Sequence, residues 1–211
     1  MKNLVEIEEL EGLRVYYPDF SRVDLACGTM PSTSDEDVIM MCEAAFTGKC
    51  EPLFYHGNVA GDHVCSGKFY KGYDCDVNTG AFVYYGGKWK FILDNYGDEV
   101  KKAAQNGGMA FGQNMIIYDG VLQPSFRELD SRHQFRALCE LKGRLCIIDL
   151  KEKIEYSKFL EYLMKAGVTH ALYLDMGTPW NYSWYRKADG AVEFIHSIEG
   201  EYNTNWIVFY R

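Results

Sequence analysis
Residues 170–186 read HALYLDMGTPWNYSWYR. Ala171, Leu172, Tyr173 and Leu174 form a short apolar run of large side chains. It is too short for an ordinary helix and reads as a buried strand. The run stops at Asp175, and a carboxylate there is costly to desolvate unless it is paired or used. Gly177 and Pro179 break the strand and open a loop that carries Trp180, Asn181, Tyr182, Trp184, Tyr185 and Arg186. An acid, flat aromatic rings, an amide and a guanidinium thus gather where a sheet gives way to a loop, a common place for ligands.

Upstream, residues 156–166 carry Tyr156, Phe159, Leu160, Leu163 and Met164 at i, i+3, i+4, i+7 and i+8. That spacing is one apolar helical stripe, with Gly167 placed as the C-terminal cap. Before it, FRALCEL (135–141), Lys142-Gly143 and RLCIIDL (144–150) read as a two-residue hairpin. Its register sets Cys139 opposite Cys146, Leu138 opposite Ile147 and Arg136 opposite Asp149, an ion pair on one face. A slip of one residue would break that pairing.

Elsewhere, LRVYYPDF (13–20) and VIMMCEAAF (38–46) read as strands, AFVYY and KWKFIL (81–93) as a hairpin over Gly86-Gly87, and MAFGQNMIIYDG (109–120) as a strand and turn. DEVKKAAQ (98–105) reads as a short helix capped by Asp98, and 191–198 and 205–210 as closing strands. Residues 51–80, with little periodicity, read as a long loop region. No repeat or linker divides the 211 residues. The expectation is one α+β domain spanning 1–211, a mixed β-sheet with packed helices.

The composition narrows the function. With 47% hydrophobic residues the chain is not disordered. A net charge of -8 disfavours nucleic acid as a partner, although a local arginine can still hold one phosphate. The first residues show no signal peptide, and no run is long enough to span a bilayer. As it stands the sequence reads as cytoplasmic, but an exported protein trimmed of its signal would look the same. The seven cysteines form no C-x-x-C pair, so a zinc site of the usual spacing is not expected, nor is a fully paired disulfide framework. No nucleotide-binding glycine loop is seen, and no cofactor or metal is expected.

These segments, in this order, resemble the phosphodiester glycosidase domain of the mannose-6-phosphate uncovering enzyme and its bacterial relatives. AAFTGKC (44–50) resembles an early Ala-Ile-Asn-Gly-Gly-Phe-Phe turn, and Gly61 with SGK (66–68) a glycine and Gly-Lys turn. GGMAFGQNMIIYDG (107–120), FRALCELKGRLCIID (135–149) and HALYLDMG (170–177) resemble the middle strand, the Arg-containing hairpin and the Leu-Asp-Gly-Gly-Gly-Ser-Ser segment. Two departures stand out. Met176-Gly177-Thr178-Pro179 replaces the glycine–serine run, and Phe46 or Thr47 occupies the early asparagine position.

The resemblance implies a hydrolase that cleaves a sugar-1-phosphodiester or a related carbohydrate bond. Asp175 and Asp149 are then the candidate catalytic carboxylates, and Arg136 the phosphate clamp, since its planar fork suits phosphate oxygens. Gly177 carries over from the family segment. Trp180, Asn181, Trp184 and Arg186 are candidate sugar contacts, with Gln113, Asn58 and His63 as further ligand contacts. Each has a plain structural alternative. Asp175 can cap a turn, Asp149 can simply pair with Arg136, an indole can anchor the loop, and His63 can bond a neighbouring loop. The expected partner is a carbohydrate or sugar phosphate, and the oligomeric state is open. The rival functions are a non-catalytic carbohydrate-binding module and a structural or partner-binding protein.

Overall fold
The structure is a computed structural model that describes residues 3–49, 51–176, 181–197 and 203–211. In chain order its strands are β1 (Val5–Glu9), β2 (Leu13–Pro18), β3 (Arg22–Cys27), β4 (Val38–Glu43), β5 (His63–Cys65), β6 (Lys68–Tyr70), β7 (Gly80–Tyr85), β8 (Lys88–Leu93), β9 (Met109–Gln113), β10 (Met115–Tyr118), β11 (Val121–Leu122), β12 (Arg132–His133), β13 (Arg136–Leu141), β14 (Arg144–Leu150), β15 (Ile154–Glu155), β16 (His170–Tyr173), β17 (Tyr182–Arg186), β18 (Val192–Ser197) and β19 (Asn205–Tyr210). The helices are α1 (Gly97–Gln105) and α2 (Tyr156–Ala166), with a 3-10 turn over His56–Asn58. Among the described residues no helix is long and apolar enough to cross a membrane.

The strands build a seven-stranded sheet ordered β1-β2-β14-β13-β16-β10-β11, a second of five ordered β18-β17-β4-β19-β3, a third of five ordered β6-β5-β9-β7-β8, and a small β12-β15 pair. This corrects the α+β, mixed-sheet expectation. The fold is β-rich, and each of these strand pairs is antiparallel. The physical reason lies in the core, which is made by sheet against sheet. Leu138, Ile147 and Leu172 of the first sheet, Ile39, Cys42 and Ile207 of the second, and Phe82 and Phe111 of the third share one buried cluster. The helices only cover outer faces. Phe159 and Leu163 of α2 lie with Val15, Ala137, Cys139 and Ile148, and Val100 and Ala103 of α1 lie with Val64, Val83 and Ala110.

The β13–β14 hairpin has the register read from sequence, with Arg136 opposite Asp149 and Cys139 opposite Cys146. Lys142 and Gly143 both have positive φ (55° and 71°), which lets the two-residue turn follow the strand twist. Alternation sends Leu138 and Ile147 into the central core and Cys139 and Ile148 under α2, so both faces are covered. Gly167 closes α2 in the left-handed conformation at φ 80°. Asp98 lies inside the first turn of α1, whose N-cap is Tyr96. The 51–80 loop region contains β5 and β6, each only three residues long, too short to show an alternation.

Candidate functional site
The first and second sheets meet where β4 ends, β13 begins and β16 runs out. Leu174 N–H bonds the Arg136 carbonyl at 3.0 Å, and Asp175 N–H bonds the Ala44 carbonyl at 3.0 Å. Asp175 therefore sits on the seam: its backbone has left the first sheet and joined the chain just beyond β4 of the second. This is why an acid can end an apolar strand here.

Behind the seam lies a buried ionic network. Arg136 Nε and Nη2 donate to Asp149 Oδ2 at 3.0 and 2.7 Å, Nη1 donates to Glu43 Oε2 at 3.0 Å, and Nη2 also donates to Ser183 Oγ at 2.9 Å. The Arg136 side chain has no solvent exposure. Its fork ties β13 and β14 of the first sheet to β4 and β17 of the second. The second Glu43 oxygen accepts the Tyr182 N–H. Burial opposes the Asp149 carboxylate, but the charge of Arg136 and a hydrogen bond with His196, whose Nε2 lies 3.4 Å away, outweigh it and hold the group below its usual range. Glu43 receives a single bond from Arg136, and burial pushes its carboxyl up to about 7.

Asp175 is also pushed up to about 7, by burial first, against the Met176 and Thr47 backbone N–H groups and the charges of Arg127 and Arg136. It is 8% exposed. A carboxyl in this state exchanges its proton near neutral pH, which suits general acid or base work. Around it stand Thr47, Tyr73, Arg127 and Met176. The Asn181 amide donates to Met176 Sδ at 3.4 Å, and its buried Oδ1 has no hydrogen-bond partner among the described residues. The Arg127 guanidinium lies over the rings of Phe126 and Tyr173, at 5.0 and 5.1 Å from their centroids. Among the described residues it forms no ion pair, and its buried Nε has no hydrogen-bond partner.

The structure thus brings together Asp175, Asp149, Arg136 and Asn181, and separates others from them. Trp184 is fully buried with Met41, Trp206 and Val208 on the outer face of the second sheet, and presents no face to a sugar. Arg186 spends its donors on the carbonyls of Val38, Gly190, Thr33 and Asp35, where it ties down the loop after β3. Both were expected to contact the ligand. Alternation across β17 turned them to the covered outer face instead. Arg136 is likewise no free clamp, because its fork is filled by protein oxygens. Asn58 pairs its amide with the Lys49 backbone, and His63 is fully buried against His56. Gln113 Oε1 accepts the Asn114 N–H, while its buried Nε2 has no partner among the described residues. Gly177 and Trp180 lie outside the described residues.

Glu43, Arg127, Ser183 and His196 were missed from sequence. Glu43 had a usable sign, a lone acid closing the apolar run VIMMC. Arg127 had none, since it lies outside any periodic element. On the side of Asp149 and His196 a cavity of about 230 Å³ is also lined by Arg14, Tyr16, Gln134 and Lys151, but Arg14 and Lys151 are each paired with Glu9. Among the described residues one cluster outside the seam has metal-ligating chemistry: Cys27, His56 and His63 hold their ligand atoms within 4.8 Å of one another.

No protein-family profile matches the chain, and no curated protein matches it. Among solved structures it is similar to the zebrafish N-acetylglucosamine-1-phosphodiester alpha-N-acetylglucosaminidase catalytic domain, auto-inhibited by its pro-peptide. The TM-score is 0.64 at 9% identity, over 100% of this chain and 83% of that one. At that identity the likeness is one of fold alone. The chain therefore shares the fold of that catalytic domain.

Proposed function
We propose that the protein is a hydrolase of the phosphodiester glycosidase kind, cleaving a sugar-1-phosphodiester or a related carbohydrate bond with Asp175 as its catalytic carboxylate. The observation that carries this reading is Asp175 itself. It is a buried carboxyl poised near neutral pH, held by two backbone N–H groups on a sheet seam, within electrostatic reach of Arg127 and Arg136.

Scission of such a bond leaves positive charge on the sugar ring and negative charge on the departing phosphate. Asp175 is placed to activate water or to stabilise the cationic ring. The phosphate contact falls to Arg127 rather than to Arg136. Arg127 has an Nε unpartnered among the described residues and is backed by aromatic rings, whereas Arg136 is enclosed by Asp149, Glu43 and Ser183. In this reading Arg136 and Asp149 are positioning residues that lock the seam against β4 and β17. Asn181, whose Oδ1 has no partner among the described residues, supplies a sugar contact.

The test is a turnover screen over sugar-1-phosphodiesters and aryl glycosides, run on the parent and on Asp175→Asn. The parent is expected to release free sugar, and the variant to fold normally while losing at least roughly 100-fold in kcat. Equal turnover by the two proteins would remove Asp175 from the mechanism. Saccharide binding by calorimetry with no product on long incubation would instead favour a non-catalytic carbohydrate-binding module.

A further inference from the structure
We infer that Cys27, His56 and His63 form a zinc site, separate from the Asp175 seam. The three residues come from different segments: the end of β3, the 3-10 turn and the start of β5. Their ligand atoms lie within 4.8 Å of one another, and His56 Nδ1 is 3.0 Å from His63 Nε2. Two nitrogens bound tetrahedrally at about 2.0–2.1 Å from zinc stand roughly 3.3 Å apart, so the imidazoles need only small movements to admit the ion.

The surroundings are those of a built site. His63 is fully buried, and its Nδ1–H points to the Gly61 carbonyl at 3.2 Å. That bond leaves Nε2 with its lone pair directed at the cluster, the outer-shell arrangement that orients a metal-bound histidine. His56 is clamped by Tyr70, stacked at 3.3 Å between centroids, and by the edge of Phe54 at 5.1 Å. Cys27 and His56 are half-buried, which leaves an entry path. Cys65 is a hydrogen-bond neighbour of the Cys27 thiol.

Binding is balanced simply. Zinc displaces the thiol proton of Cys27, which passes to solvent. His56 moves its N–H from Nδ1 to Nε2 with no net loss. An ion held by a soft sulfur and two imidazoles is zinc-like rather than magnesium- or calcium-like. It pins residues 56–63, from which Val59 pairs back to Thr47.

The test uses full-length protein, reduced and stripped with chelator, titrated with cobalt(II). The expected result is saturation at one equivalent with a thiolate-to-cobalt charge-transfer band and tetrahedral visible bands, both abolished by added zinc(II), which also raises Tm. Cys27→Ser is expected to lose the charge-transfer band, and Cys75→Ser to keep it. Folding of each variant is checked by circular dichroism. Absence of stoichiometric binding by the reduced parent would overturn the site, as would a charge-transfer band that survives in Cys27→Ser. Recovery of a Cys27–Cys65 disulfide in a protein that binds no metal after reduction would also overturn it.

Discussion

Asp149 Oδ2 accepts two hydrogen bonds from Arg136, at 3.0 Å from Nε and 2.7 Å from Nη2, directly across the β13–β14 hairpin. With Glu43 and Ser183 on its remaining side, the arginine is a buried bolt between two sheets. Such a pair adds little compared with a well-packed apolar replacement. Losing one partner is expensive, because a charge is left buried and unpaired.

Asp149→Ala is therefore expected to lower the unfolding free energy by about 3–5 kcal/mol, measured by urea denaturation. Loss of less than about 1 kcal/mol would mean that the pair is solvated and the seam is not locked by it.

The pH dependence of stability follows from Asp175 and Glu43, each raised by burial to about 7 in the folded chain from ordinary values of 3.8 and 4.5. Between about pH 4 and 7 the folded protein keeps protons that the unfolded chain has released. Stability is therefore full at the acid end of that window and is lost as pH rises through it, by up to roughly 1.4 kcal/mol per unit from each group. Asp175→Asn removes one of the two contributions. Urea unfolding at pH 5 and pH 8 is expected to show a smaller difference for the variant than for the parent, with the variant the more stable at pH 8. Identical pH slopes would show that Asp175 ionises normally.

Arg127→Ala is expected to weaken binding of a sugar phosphate by roughly 10–100-fold, the worth of a charge-assisted hydrogen bond. A neutral sugar should bind both proteins alike. Calorimetry with the two ligands separates a phosphate contact from a general loss of the site, since only the former discriminates between them.

Trp184→Phe is expected to cost about 0.5–3 kcal/mol of stability and to leave saccharide affinity unchanged. Among the described residues the indole Nε1 has no hydrogen-bond partner to lose, and the ring packs with Met41 and Trp206. A tenfold loss of saccharide affinity in a folded variant would place the ring at the ligand after all.

The residues 135–150 and 156–167 were legible in the chain because their information is local. The two-residue turn sets the hairpin register, and with it Arg136 opposite Asp149. The 3.6-residue period sets α2, and Gly167 supplies the left-handed cap. The acid at the end of an apolar strand was legible for the same reason. The tertiary structure decided the rest. Whether β17 turns Trp184 and Arg186 toward a ligand or toward an outer face depends on which strands flank it and what covers them, and no spacing within YSWYR encodes that. Likewise Glu43 is 93 residues from Arg136, and His56 and His63 meet Cys27 only through the packing of β3 on β5. Contacts across sheets are set by how faces stack. Turns and alternation fix only which face each side chain joins.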